Sequence, residues 1–120
     1  ISEKNKYFSE VVKDLDKNNV IDLMGETLTQ TFAYIKKSNL FVGNDSGLMH
    51  LSVASKISTI GLFGPTNDKI YAPYGNNCYT LRTKETYHHF TKIIIKKDLS
   101  YMQSIEVKEV MDLIANKRLL

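Results

Sequence analysis

The sequence predicts an α/β domain: a parallel sheet with helices on both faces. Segments with helical spacing of apolar residues alternate along the chain with short strand-like runs. Those runs are continuously apolar rather than alternating, which suits strands buried on both sides. A composition of 42% hydrophobic and 24% charged residues over 120 positions fits one domain with room for a core.

Tyr7, Phe8, Val11, Val12 and Leu15 share one face at helical spacing, predicting an amphipathic helix from about Glu3 to Lys17. Asn18-Asn19 breaks it, and Val20 to Leu23 reads as a short strand leading to Gly25. Thr27 begins a second helix with Gln30 at the capping-box spacing, and Leu28, Phe32 and Ile35 form its expected buried stripe. Asn39 to Gly43 is the next strand, Gly47 to Lys56 a helix, and Ser58 to Phe63 a strand stopped by Gly64-Pro65. A loop or short helix crosses residues 67 to 75, and Cys78–Leu81 and Ile93–Ile95 read as two further strands. Val107, Val110, Met111 and Ile114 supply the apolar face of a final helix, with Lys117 and Arg118 near its C-terminus, where cations are favoured. Residues 82 to 100 follow no clean period.

Composition also excludes. No apolar run approaches the roughly 20 residues that span a bilayer. The opening Ile-Ser-Glu-Lys-Asn-Lys lacks both an initiator Met and a signal-peptide core, so the chain is expected to be a piece of something longer. The single cysteine, Cys78, cannot close an internal disulfide, which suits a reducing cytoplasm. A net charge of +3 is too mild to argue for nucleic acid.

The stretch from Phe41 to Thr66 carries the chemistry. A strand ends in Asn44-Asp45-Ser46 and a helix starts at Gly47, so backbone N–H groups and a helix N-terminus point at one spot, a seat for an anion. In a parallel sheet, ligands bind outside the carboxyl ends of the strands, and the loops Met24-Gly25-Glu26, Asn44–Gly47 and Gly64–Thr66 are expected to line one crevice there. Gly47 lets a ligand approach the backbone; the N–H groups around Ser46, Gly47 and Leu48 could donate to phosphate oxygens. Asp45 suits sugar hydroxyls or positive charge developing on a sugar ring, and His50, one turn after Ser46, could offset diphosphate charge. The plainer alternatives stay open: Ser46 or Asp45 as helix cap, His50 as a structural histidine, Gly64-Pro65 as a strand stop. His88-His89, taken as extended, would point to opposite faces, and no metal site is expected.

Asn44-Asp45-Ser46-Gly47-Leu48-Met49-His50-Leu51, followed by Phe63-Gly64-Pro65-Thr66, resembles the ADP-heptose:lipopolysaccharide heptosyltransferases, glycosyltransferase family nine. Pro73-Tyr74-Gly75 and Leu23-Met24-Gly25 resemble further turns of that family, and the likeness runs from about residue 3 to residue 118. The resemblance implies a Rossmann-like three-layer α/β/α sheet, the C-terminal donor-binding domain of a GT-B glycosyltransferase. It implies that residues 1 to 120 form a nucleotide-sugar domain lacking the N-terminal acceptor domain, which would supply the catalytic carboxylate. On this view Asp45 contacts the sugar, backbone groups of Ser46 and Gly47 hold the diphosphate with His50 beside it, Met24-Gly25 borders the adenine, and Glu3 is the nearest candidate to reach the ribose. The implied activity is inverting heptosyl transfer from ADP-heptose, without metal or other cofactor, to a lipopolysaccharide core acceptor. The implied place is the cytoplasm, with peripheral contact at the inner face of the bacterial inner membrane.

Two other functions fit the residues. One is a serine hydrolase using Ser46 with His50 and Asp45, although Gly-Asn-Asp-Ser-Gly departs from the nucleophile-elbow pattern. The other is a non-catalytic phosphosugar-binding module.

Overall fold

The computed structural model describes residues 3–120, with side chains from Tyr7 onward. In chain order the elements are α1 (Glu3–Val12), α2 (Leu28–Lys36), β1 (Leu40–Asn44), α3 (Gly47–Ala54), β2 (Ser58–Phe63), α4 (Asp68–Tyr71), β3 (Cys78–Arg82), α5 (Tyr87–Thr91) and α6 (Val107–Asn116). The strands form one parallel sheet in the order β1-β2-β3. Register pairs Val42 with Ile60 and Ile60 with Tyr79, so β2 is central. The predicted α/β class and the order strand–helix–strand through β1, α3 and β2 are therefore present.

α3 lies on one face of the sheet. Its Ser52 hydroxyl donates to Met49 O at 2.6 Å and lies 2.8 Å from the Thr59 hydroxyl of β2, both side chains fully buried. This pair lets two polar groups sit in the core with their hydrogen bonds made. Met49, Ile60 and Phe63 are likewise sealed from solvent and form the centre of the core. Helix and sheet approach closely because position 61 is glycine: a Cβ there would come within 2.7 Å of Met49 Sδ and 2.9 Å of the Phe63 ring. Residues Ile60 and Tyr79 point to the opposite face, where Lys117, just past α6, sets its ammonium 5.8 Å from the Tyr79 ring centre. Leu119 is buried, its N–H donating to Ile114 O at 3.0 Å.

The capping box opening α2 forms as its sequence predicts. Gln30 N–H donates to Thr27 Oγ1 at 3.2 Å, and Thr27 N–H donates to Gln30 Oε1 at 3.2 Å. Its stripe is less buried than expected, since Ile35 is enclosed while Leu28 is mostly exposed.

Five other expectations fail, wholly or in part, for local or tertiary reasons. α1 stops at Val12, because the Asp16 carboxylate caps a separate 3₁₀ turn over Lys17–Asn19 by accepting from Asn18 N–H. Residues 20 to 23 are not a strand: Asp22 takes the Met24 N–H at 2.8 Å, and Glu26 N–H closes a turn onto Leu23 O. Apolar runs become strands only when a ladder accepts them, and this one makes no backbone hydrogen bond to β1. Ile93–Ile95 is an exposed loop for the same reason, and His88-His89 lie in the single turn of α5, capped by Thr86, rather than extended. In α6 the predicted apolar face is only half used, with Val107 and Met111 exposed and Val110 and Ile114 half-buried.

Candidate functional site

β1 carries the chain to Asn44, where it turns through Asp45 and Ser46 into α3. Ser46 is extended, with φ −162° and ψ 168°, and its hydroxyl oxygen accepts the Met49 N–H at 3.4 Å. The plain capping role for Ser46 is thus realised. One orphan donor of the first turn is satisfied, and His50 N–H reaches back to Ser46 O. Among the described residues, the N–H groups of Gly47 and Leu48 have no partner. A Cβ built on Gly47 would meet nothing within 4 Å, so the space before these donors is open.

Asp45, with its side chain 18% exposed, lines a cleft of about 360 Å³ at the carboxyl ends of β1 and β2. Asn44 and Asp45 form one wall, Gly64, Pro65 and Thr66 the floor, and residues 99 to 102 the far wall. His50 Nε2 stands 3.9 Å from Asp45 Oδ1, too long for a hydrogen bond but close enough for attraction when the imidazole is charged. Asp45 and His50 therefore face one another at the start of α3, a pairing that the Ser46–His50 spacing did not itself predict.

On the other side of the α3 N-terminus lies an apolar groove of about 660 Å³, bordered by Met24 and Leu48 with Ile21, Ile35 and Phe41. Gly25 sits at the third position of the Leu23–Glu26 turn with φ +85°, a conformation reserved for glycine in type II turns. Met24-Gly25 thus follows an irregular segment rather than a strand end, yet the turn still carries Met24 to the groove. The site residues fall in two spaces joined by the start of α3, not in one crevice. The Glu3 side chain lies outside the described residues.

Sequence reasoning missed Arg82 and the far wall. Arg82 ends β3, and its guanidinium donates to Gly64 O, Thr66 O and the Asp68 carboxylate. Leu99 to Met102 belong to the stretch that follows no period. The one available signal was a lone arginine closing an apolar run.

Three titrating groups among the described residues depart from their ordinary behaviour: the Lys108 ammonium, donating to the Asp112 carboxylate, is held above its usual range, and the other two are Glu85 and Cys78. The Ser104 hydroxyl, donating to Glu85 at 2.7 Å, holds that carboxyl below its usual range, and burial pushes the Cys78 thiol up. Among the described residues no group of three or more His, Cys, Asp or Glu is placed to hold a metal, and no helix is long and apolar enough to cross a membrane.

Residues 2–98 match the family model of glycosyltransferase family 9 (heptosyltransferase). Over 51 residues the chain is 43% identical to lipooligosaccharide heptosyltransferase 2 of Campylobacter jejuni subsp. jejuni serotype O:2, covering 42% of this chain and 15% of that protein. Over 72 residues it is 33% identical to lipopolysaccharide heptosyltransferase 2 of Escherichia coli K12, covering 59% of this chain and 21% of that protein. The crystal structure of a family 9 glycosyl transferase from Veillonella parvula superposes with a TM-score of 0.76 at 27% identity, covering 95% of this chain and 33% of that one. The matches span about a fifth or less of the curated relatives and a third of the solved structure.

Proposed function

This chain belongs to glycosyltransferase family 9, and on that premise we propose that it is the donor-binding part of a heptosyltransferase. A nucleotide sugar lies across the start of α3. Its base and ribose rest in the groove beside Met24 and Leu48, its diphosphate on the Gly47 and Leu48 amides, and its sugar in the cleft beside Asp45. The observation that carries this reading is the pair of unpartnered N–H groups at a helix N-terminus, with a carboxylate cleft on one side and an apolar groove on the other.

The chemistry follows from charge. As the bond from sugar to diphosphate breaks, negative charge grows on the leaving oxygens and positive charge on the ring. Helix-end N–H groups and a protonated His50 stabilise the first, and Asp45 the second. An acceptor hydroxyl then attacks the anomeric carbon from the face opposite the leaving group, inverting it, and the base for that hydroxyl comes from outside this chain. The relatives' names support a heptose as the sugar moved and a lipooligosaccharide or lipopolysaccharide as the acceptor class, while ADP as the carrier, the core as the acceptor and the cytoplasmic membrane face as the place rest on the sequence resemblance alone. The hydrolase alternative loses support because the Ser46 oxygen is engaged as a cap while His50 faces Asp45.

Calorimetric titration of the 120-residue chain with ADP and with mannose 1-phosphate tests the proposal. ADP is expected to bind the more tightly, because it fills both the amide seat and the groove. Equal affinities would favour a phosphosugar module, and no ADP binding would refute the reading.

A further inference from the structure

One side chain organises the floor of the Asp45 cleft without lining it. Arg82 Nε donates to Asp68 Oδ1 at 2.7 Å. Nη1 donates to Gly64 O at 2.8 Å and reaches Glu85 O at 3.4 Å, while Nη2 donates to Gly64 O and to Thr66 O, both at 2.7 Å. All five N–H donors of the planar fork are therefore engaged, three of the four acceptors being backbone carbonyls. The guanidinium side chain is 18% exposed, so these bonds form in a partly dry setting where charge assistance counts.

What it holds is the cleft itself. Gly64 and Thr66 bracket the floor, and Gly64 is also the seat of the far wall. A Cβ on Gly64 would come 2.5 Å from Met102 Sδ and 3.3 Å from Tyr101 O, so the two segments touch directly there. Fixing Gly64 fixes the distance between Asp45 and the wall of residues 99 to 102. The Gly47 and Leu48 amides and the Met24 groove lie elsewhere and have no bond to Arg82.

Resting on the donor reading above, we propose that Arg82 is a positioning residue for the sugar end of the donor. It draws the Gly64 and Thr66 carbonyls into one rigid floor and, through Gly64, sets the width of the cleft in which the sugar meets Asp45. Arg82 thus governs recognition of the sugar and leaves recognition of the nucleoside diphosphate alone.

The test is titration of the 120-residue chain with ADP and with ADP-mannose, comparing the native protein with Arg82→Lys, Arg82→Gln and Asp68→Asn, each first shown folded by thermal unfolding. Arg82→Lys can still pair with Asp68 but cannot join Gly64 O to Thr66 O. Both Arg82 variants are expected to lose about fivefold or more in ADP-mannose affinity, roughly the net worth of one ordinary hydrogen bond lost indirectly, with ADP affinity within about twofold of native. Asp68→Asn, which spares the carbonyl contacts, is expected to keep both affinities. Equal losses of both ligands would mark Arg82 as merely structural, and unchanged ADP-mannose binding in Arg82→Lys would equally overturn the proposal. A native chain that binds neither ligand would sink the donor reading itself, whereas native binding with unaltered variants sinks only the role of Arg82.

Discussion

Replacing Gly47 by alanine should separate folding from binding. Gly47 is the first residue of α3, its φ lies outside the left-handed region, and an added Cβ meets no atom within 4 Å. Nothing in the folded state resists the methyl, and the unfolded chain loses freedom, so Gly47→Ala should stabilise by about 0.4–1 kcal/mol. For a domain of this size that is a rise in Tm of about 2–4 °C. Binding should move the other way. Each Cβ of a helix tilts toward the N-terminus, so the methyl projects over the Gly47 and Leu48 N–H groups that the diphosphate is proposed to use. Losing one hydrogen bond to a charged group costs about 1.5–3 kcal/mol, which is roughly tenfold or more in Kd for ADP. Differential scanning fluorimetry and calorimetry on the same preparation give both numbers. A variant that is more stable yet binds ADP within twofold of native would refute the amide seat, and a lower Tm would refute the reading of open space.

Gly61→Ala should do the reverse to stability. Its methyl meets Met49 Sδ and the Phe63 ring at under 3 Å with both side chains fully enclosed, so overpacking outweighs the gain in chain stiffness. The expected loss is about 1–3 kcal/mol, read as a fall in Tm by thermal unfolding, and an unchanged Tm would contradict the packing described. The acid limb of stability should depend on Ser104. Glu85 titrates below its ordinary value because Ser104 donates to it, so its contribution is complete above the usual carboxylate range and disappears as pH falls through the lowered folded value. Ser104→Ala should therefore narrow the difference from native as pH drops from about 6 to 3, measured as Tm against pH; a gap independent of pH would exclude this linkage.

Local chemistry was legible in the sequence wherever a single element decides it. Thr27 and Gln30 announce a helix start, and Asp45, Ser46 and Gly47 announce the turn, because each motif closes within four residues. The parallel sheet was legible because three apolar runs separated by turn residues have few other ways to hide. Val20–Leu23 and Ile93–Ile95 looked the same in composition, but no ladder receives them, and pairing is decided by the rest of the fold. Arg82 and residues 99 to 102 escaped for a related reason. The guanidinium reaches carbonyls 16 and 18 positions away, and the wall meets Gly64 across some 35 residues, distances at which no periodicity operates.

The sheet has two inner ladders and, among the described residues, two bare rims, one along β1 and one along β3. Parallel sheets are normally sheathed, and an uncovered strand offers its amides and carbonyls to any similar strand that drifts past. Copies of this chain in concentrated solution carry only a mild common charge of +3 to keep them apart. Preparations therefore call for dilution and low ionic strength, since salt would mask that repulsion and invite edge-to-edge clumping.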